Sequence, residues 1–217
     1  MPDRGLAALV VDWGGVLTSD LGAAMDDWAS RDQVDPASFR AVMREWLGPG
    51  ADAQVALNPV HALERGELEV PHFEAALAAR LRTVHGDPVA PAGLLIRMFA
   101  AFAAAPDMVG LVRRAHASGL ATALLSNSWG LPYPRDGWAD MFDAVVISGE
   151  VGMRKPEARI YRHTADLLAV APSACVFVDD LAPNVAAAAA VGMVGVHHRD
   201  YATTATELEA LFDRPLA

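Results

Sequence analysis

Residues 6–17 of the chain read LAALVVDWGGVL, an apolar run that ends in a carboxylate and is followed closely by two glycines. A short apolar run bounded by turn residues predicts a buried strand, here central in a parallel sheet. Asp12 then stands at the carboxyl end of that strand, where open α/β sheets bind their ligands. Gly14 and Gly15 allow a sharp turn and a close approach of the backbone to a bound group. From this segment alone, Asp12 is either a functional carboxylate or the cap of the next helix.

The composition indicates a folded protein with room for a core domain and an insertion. The chain has 217 residues, 53% of them hydrophobic and 20% charged. Its net charge of -10 argues against general nucleic-acid binding, which needs a basic surface. No uncharged run approaches the ~20 residues of a membrane span, and the N-terminus lacks a signal peptide's basic start. We therefore expect a soluble, cytoplasmic protein with neither nucleic-acid nor membrane partners, whose oligomeric state the sequence leaves open.

Between residues 18 and 105 the pattern is helical throughout. Apolar residues recur there at three- and four-residue spacing, which predicts helices over 21–29, 36–47, 59–65, 71–84 and 91–104. Because no strand pattern interrupts them, we predict an all-helical cap over residues 18–100. The remaining residues, 1–17 and 101–217, are predicted to form the core.

From residue 107 onward, strand and helix patterns alternate. Strands are predicted over 120–125, 142–147, 174–178 and 194–197, and helices over 107–118, 156–168, 185–191 and 206–212. Strands that alternate with helices predict a parallel, doubly wound sheet. The predicted fold class is therefore α/β, with a Rossmann-like sheet core and an inserted helical cap.

Polar clusters fall at the ends of these strands or just beyond them. They are Asp12, Ser126 with Asn127, Lys155, and Asp179 with Asp180. The carboxyl ends of parallel strands meet at one edge of a sheet, so we expect these groups to converge there. Three crowded carboxylates repel one another unless a cation is present, and hard oxygen ligands suit Mg²⁺. The sequence therefore predicts a magnesium site with an anion beside it.

Four segments carry a resemblance to a known family. They read VDWGGVL at 11–17, LLSNSW at 124–129, GEVGMRKPE at 149–157 and VFVDDLAPN at 176–184. In this order they resemble the motifs of the haloacid dehalogenase superfamily of hydrolases. The similarity is greatest to the branch with a helical cap after the first motif, which includes the phosphatase-like N-terminal domain of soluble epoxide hydrolase and its stand-alone bacterial relatives. The resemblance implies a Mg²⁺-dependent phosphatase of a small phosphorylated metabolite.

The resemblance also implies roles for individual residues in phosphoryl transfer. Asp12 would be the nucleophile that attacks phosphorus and becomes an aspartyl phosphate. Ser126 and the backbone of Asn127 would hold the phosphoryl oxygens. Lys155 would neutralise charge on Asp12 and on the phosphoryl group. Such roles suit phosphoryl transfer, which needs positioning and charge neutralisation above all.

The same resemblance assigns the ligands of the metal. Mg²⁺ would bind the second oxygen of Asp12, the backbone carbonyl of Gly14, and Asp179. Asp180 would bind it directly or through water. Asn184 has two roles open, because it would either orient a metal-bound water or cap the following helix.

Gly14 is where the chain departs from the family pattern. The family's phosphatases usually carry an aspartate there, which protonates the leaving group and then activates water. Such acid–base help is typically worth ~10²–10⁴-fold in rate. Three explanations stay open: substrates with good leaving groups, a substitute such as Asp20 or a cap side chain, or no turnover at all. Asp20 also fits the cap of a helix.

Two other functions compete with phosphatase activity. Dehalogenase members of the superfamily also lack that aspartate, and in them the nucleophile attacks carbon without a metal. The pair Asp179 and Asp180 has the metal-binding form of the last motif, which argues against a halide site. The alternatives are therefore a metal-independent 2-haloacid dehalogenase-type hydrolase and a weak or inactive binding protein.

Four further residues beside the motifs have more than one interpretation. Trp13 is a candidate substrate contact, for example with an aromatic leaving group, and Trp129 shares that interpretation. Both side chains could instead shape the pocket or pack against the cap. Arg154 either helps to bind an anion or lies in solvent. Cys175 lies in an apolar run and is expected to be a small buried hydrophobic side chain.

Overall fold

A computed structural model of the chain describes residues 5–48, 58–100 and 102–216. The strands are β1 (Ala8–Val11), β2 (Ala121–Ser126), β3 (Ala144–Ile147), β4 (Cys175–Asp179) and β5 (Val194–His197). The helices are α1 (Leu21–Arg31), α2 (Pro36–Leu47), α3 (Pro59–Glu64), α4 (Val70–Arg80), α5 (Leu94–Phe99), α6 (Pro106–Ala117), α7 (Ser148–Val151), α8 (Ala158–Leu167), α9 (Ala182–Ala190) and α10 (Tyr201–Phe212).

The five strands form one parallel sheet in the order β3-β2-β1-β4-β5. The chain builds outward from β1 on one side and returns to add β4 and β5 on the other. The strand order therefore reverses direction beside β1. In open α/β sheets, ligands bind in the crevice at the carboxyl ends of the strands next to such a reversal. The predicted α/β fold with a central first strand is confirmed.

β1 is buried on both faces, which explains its unbroken apolar sequence. Leu9 and Val11 pack in one cluster with residues of α6 and α10. Ala8 and Val10 pack in another, on the opposite face, with residues of α8 such as Ile160. Helices therefore cover the sheet on both sides and leave its carboxyl edge as the place for a site.

Helices α1 to α5 enclose an apolar cluster of their own. Trp28, Phe73, Leu77 and Leu95 are fully buried in it. Within residues 18–48 and 58–100, the structure contains isolated β-bridges but no longer strand. No helix in the described part of the chain is long and apolar enough to cross a membrane. The division of the chain into a core and a cap at residues 17/18 and 100/101 stays a prediction.

Several predicted helices have different bounds in the structure. The helix predicted over 71–84 ends at Arg80, because the backbone becomes extended at Leu81 and Thr83 then bridges to Val34. The helix predicted over 91–104 is only Leu94–Phe99, since Gly93 precedes it with a φ of +67°. The helix predicted over 206–212 starts earlier, at Tyr201.

Candidate active site

A buried lysine joins two carboxylates at the carboxyl edge of the sheet. Asp12 follows β1 directly and Asp179 ends β4, and the pairing of Val11 with Val178 places these two aspartates side by side. Lys155 Nζ lies 2.7 Å from Asp12 Oδ1 and 2.6 Å from Asp179 Oδ2. The exposed fractions of Asp12, Lys155 and Asp179 are 8%, 1% and 0%. Three residues from distant parts of the sequence therefore meet in a water-poor site.

The backbone of Lys155 is held by the side chain of Asn127. Asn127 Oδ1 accepts a hydrogen bond from Lys155 N at 2.9 Å, and Asn127 Nδ2 donates to Lys155 O at 3.1 Å. Sequence reasoning assigned only the backbone of Asn127 and missed this contact of its side chain. The paired hydrogen bonds fix the loop between α7 and α8 that carries the lysine.

Asp180 adds a third carboxylate to the cluster. One carboxylate oxygen each from Asp12, Asp179 and Asp180 lie within 4.8 Å of one another. Asp180 Oδ1 is buried, and it has no hydrogen-bond partner among the described residues. A buried carboxylate oxygen is costly unless something binds it, and carboxylate oxygens suit Mg²⁺. The donor set and the orphaned oxygen therefore fit a divalent cation.

The electrostatics of the cluster favour such a cation. Burial raises the pKa of Asp12 to about 7, more than the nearby Lys155 lowers it, and Asp179 and Asp180 raise it further. Burial, followed by the charge of Asp179, also raises the pKa of Asp180 to about 6. Burial alone would lower the pKa of Lys155, but the two flanking carboxylates raise it, so the lysine stays charged. Three carboxylates beside one ammonium leave excess negative charge, which a bound cation would offset.

Asn184 orients one of these carboxylates. Its Nδ2 donates to both oxygens of Asp179, at 3.0 and 3.1 Å, and the Leu181 backbone N donates to Asp179 Oδ1 at 2.8 Å. Leu181, rather than Asn184, is the N-cap residue of α9. Asn184 is therefore not the N-cap of α9 and contacts Asp179 instead, while its predicted role towards a metal-bound water stays a prediction.

Ser126 lies at the end of β2 with only 2% of its surface exposed. Its hydroxyl oxygen is 2.9 Å from the hydroxyl oxygen of Tyr133, a residue that sequence reasoning did not single out. Tyr133 packs edge-on against Trp13, with ring centroids 5.8 Å apart. Trp129 lies elsewhere, against Phe73 in the cluster enclosed by α1 to α5. Tyr133 stands between two prolines in the loop that follows β2, and no sequence motif marks it.

The family follows from the match of this chain to known proteins. The model of the haloacid dehalogenase-like hydrolases matches residues 6–192. The chain belongs to that family. The match covers β1, with Asp12 beyond it, through to the end of α9, and so includes every residue of the site described above. The family predicted from the four motifs is thereby confirmed.

Two curated relatives of this haloacid dehalogenase-like hydrolase are phosphatases by name. A sesquiterpene phosphatase of Aspergillus oryzae is 36% identical over 116 residues, which are 49% of this chain and 57% of that protein. A phosphatase of Mycobacterium tuberculosis is 27% identical over 198 residues, 87% of this chain and 85% of that protein. The chain spans less than two thirds of the fungal relative and only 20% and 18% of two other relatives.

A solved structure shares the fold. It is a haloacid dehalogenase family enzyme of Bacteroides thetaiotaomicron, in complex with magnesium and inorganic phosphate. It has a TM-score of 0.64 and 17% identity, and the match covers 89% of this chain and 94% of that one. At this identity the similarity shows the fold alone.

The structure places Gly14, where the family's aspartate is missing, together with its predicted substitute Asp20 and the neighbouring Arg154. Gly14 has apolar surroundings, since a Cβ there would lie 3.4 Å from Leu21 Cδ2. Asp20 is the N-cap of α1, and its Oδ1 accepts from the Ala23 backbone N at 2.7 Å. Its side chain is therefore used as a helix cap. Arg154 does not lie in solvent, because it is buried against Glu64, with Nε 2.5 Å from Oε2.

Proposed function

We propose that this hydrolase is a Mg²⁺-dependent phosphatase that cleaves a small phosphorylated metabolite through an aspartyl phosphate at Asp12. The observation that carries the proposal is the buried Lys155 ammonium between Asp12 and Asp179, with Asp180 beside them. The names of the fungal and mycobacterial relatives support phosphate ester hydrolysis. The magnesium and phosphate bound to the Bacteroides enzyme of the same fold support the choice of metal.

The chemistry at Asp12 depends on its charge. Only the carboxylate can attack phosphorus, yet burial raises the pKa of Asp12 to about 7. Mg²⁺ held by Asp12, Asp179, Asp180 and the Gly14 carbonyl would keep these carboxylates ionised and neutralise charge on the phosphoryl group. Lys155, already 2.7 Å from Asp12 Oδ1, offsets charge at the same place. Positioning and neutralisation are what phosphoryl transfer requires.

The other predicted residues complete the proposed site. Ser126 and the Asn127 backbone would bind the phosphoryl oxygens at the end of β2, and Asn184 keeps Asp179 oriented towards its partners. Trp13 remains a candidate substrate contact because it packs against Tyr133, the neighbour of Ser126. The helical region over 18–100 would act as a cap that excludes water when substrate is bound.

Phosphate release measured with and without metal tests this function. We expect the protein to release phosphate from p-nitrophenyl phosphate and acetyl phosphate in Mg²⁺ and to lose that activity in EDTA. Activity unchanged by EDTA would contradict the metal-dependent mechanism. Chloride release from 2-chloropropionate would instead favour the dehalogenase function, which the missing acid at Gly14 leaves open. A folded protein that binds Mg²⁺ but releases no phosphate would be a binding protein.

A further inference from the structure

A cavity of about 550 Å³ adjoins Tyr133. It lies between the turn from α3 to α4, the loop that follows β2, and the end of β3. Much of its lining is apolar: Leu63, Leu68, Val70, Leu131, Pro132 and Ile147. Three charged residues also line it: Arg135 pairs with Glu150, and Glu69 adds a second carboxylate. The apolar part of the lining can therefore accommodate an uncharged organic group.

Tyr133 connects this cavity to the residues proposed to hold the phosphoryl group. Its hydroxyl oxygen is 2.9 Å from Ser126 Oγ and 3.4 Å from the Asn127 carbonyl oxygen. Its ring is fixed by Trp13 and Trp138, each with a centroid separation of 5.8 Å. A rigid phenol thus stands where the phosphoryl site meets the cavity.

On the basis of the proposed phosphatase function, we propose that Tyr133 is the proton donor to the leaving group, in place of the aspartate absent at Gly14. The substrate would be the phosphate monoester of an unactivated alcohol, with its organic part in the cavity. Gly14 offers no proton, and Asp20 is exposed, with its carboxylate capping α1. The Tyr133 hydroxyl donates to the Asn127 carbonyl oxygen at 3.4 Å and lies 2.9 Å from Ser126 Oγ, and it would turn its proton to the leaving group when substrate is bound.

The proton and electron pairs balance over the two steps. Asp12 attacks phosphorus, the bond from phosphorus to the alcohol oxygen breaks, and that oxygen takes the phenolic proton of Tyr133. Water then attacks the aspartyl phosphate and gives a proton to the Tyr133 phenolate. Asp12 and Tyr133 are restored, and one ester plus one water have become one alcohol and one phosphate.

A phenol as weakly acidic as Tyr133 should assist the departure of an alcohol more than that of an activated leaving group. Burial, with a smaller contribution from the charge of Asp12, raises the pKa of Tyr133 to about 12, so the phenol keeps its proton near neutral pH. An alkoxide is about as basic as hydroxide, since water has a pKa of about 15.7, and it readily accepts that proton. A nitrophenolate is a much weaker base and gains little from the same donor.

The experiment compares two substrates in two proteins. Tyr133→Phe and the unchanged protein are assayed in Mg²⁺ with hexyl phosphate and with p-nitrophenyl phosphate. We expect the variant to lose about 10²–10⁴-fold in kcat/KM on hexyl phosphate and at least tenfold less on p-nitrophenyl phosphate. Tyr201→Phe is the matched control, because it removes a hydroxyl from α10 that contacts Arg114 rather than the site.

Each outcome bears on the inference. Equal losses on both substrates would show that Tyr133 only positions Ser126, and no loss on hexyl phosphate would exclude it as the donor. An unchanged protein that cleaves p-nitrophenyl phosphate but not hexyl phosphate would overturn the inference and leave the phosphatase function standing. A protein inactive on both substrates would overturn the phosphatase function itself.

Discussion

At the scale of single residues, the cluster around Asp12 holds more negative charge than Lys155 neutralises. Three carboxylates and one lysine lie together, and one oxygen of Asp180 has no hydrogen-bond partner among the described residues. Burial raises the pKa values of Asp12 and Asp180 to about 7 and 6, so the metal-free site binds protons at a higher pH than ordinary carboxylates do. Protons and Mg²⁺ should therefore compete for the same oxygens.

Stabilisation by Mg²⁺ should accordingly increase with pH. The pKa values of Asp12 and Asp180 are raised in the folded protein, so its metal-free stability falls as pH rises from about 4 to 7. Above pH 7 the metal no longer has to displace a proton. At 100 times its dissociation constant it should stabilise the fold by about 2.7 kcal/mol, or raise Tm by about 5–10 °C.

Thermal unfolding at pH 5.5 and pH 8, with Mg²⁺ or with EDTA, measures this difference. A fixed Mg²⁺ concentration should raise Tm more at pH 8. Asp180→Asn removes one proposed ligand and serves as the control in which the rise is reduced at both values. An equal or larger rise at pH 5.5 would contradict the assignment of the metal to these carboxylates.

Some of the site could be predicted from sequence and some could not. Asp12 follows one plainly apolar strand and Asp179 ends another, so their convergence follows from the parallel sheet. Tyr133 and the side-chain contact of Asn127 depend on the path of loops, which no periodic pattern records. The pairing of Arg154 with Glu64 was likewise hidden, because it joins residues 90 positions apart.

At the scale of elements, the turn after β1 sets the distance between the backbone and the cluster. Gly15 has a φ of +72°, and a Cβ there would lie 2.5 Å from Asp180 Oδ2. Gly14 has no such strain, and a Cβ there would make an ordinary contact with Leu21. Of the two adjacent glycines, only Gly15 is therefore required by the backbone and by the close approach of Asp180.

Alanine substitutions should separate these two glycines. Gly15→Ala should lower the free energy of unfolding by at least about 1–2 kcal/mol, the cost of the left-handed backbone, and weaken Mg²⁺ binding by displacing Asp180. Gly14→Ala should change stability by no more than about 1 kcal/mol. Urea unfolding and Mg²⁺ titration measure both effects. Two variants that are equally stable and bind Mg²⁺ equally well would contradict the close approach of Gly15 to Asp180.

Element types were easier to predict than element ends. The strand over 194–197 was predicted at its observed bounds, because it is a short apolar run between a glycine turn and polar residues. The start of α10 was missed by five residues, since Asp200 caps it by accepting from the Thr203 backbone N at 2.8 Å. A single aspartate in a polar stretch gives a weak signal in sequence.

At the scale of the whole molecule, a buried ion pair fastens the helical region to the sheet. Glu64, at the end of α3, contacts Arg154, the residue before Lys155. The Ser148 hydroxyl at the start of α7 donates to the Glu64 carbonyl oxygen. The same contact zone brings Gly66 so close to the Gly149 carbonyl that a Cβ there would lie 2.6 Å from it. The position of the helices is thus tied to the loop that carries the lysine.

Removing one partner of this pair should be costly. Arg154→Met leaves Glu64 buried without its counter-charge, which should lower the free energy of unfolding by about 3–5 kcal/mol at pH 8. Burial raises the pKa of Glu64 above its usual value, so the loss should become smaller as the pH is lowered from 8 towards 5 and protonation of Glu64 becomes easier. Denaturant unfolding at the two pH values measures the change.

Arg159→Met is the matched control for that variant. Arg159 pairs with Glu157 on the surface, with 56% of its side chain exposed, and such pairs contribute at most about 1 kcal/mol. Equal losses in the two variants would mean that the buried pair does not fasten the helical region to the sheet.

In the proposed reaction, Asp12 carries the phosphoryl group during turnover. The most direct measurement incubates the protein with radiolabelled acetyl phosphate and Mg²⁺, quenches it in acid and maps the label to peptides. We expect label on the peptide that contains Asp12, and none there after Asp12→Asn or in EDTA. Steady phosphate release without label on that peptide, or the same label in Asp12→Asn, would contradict the account.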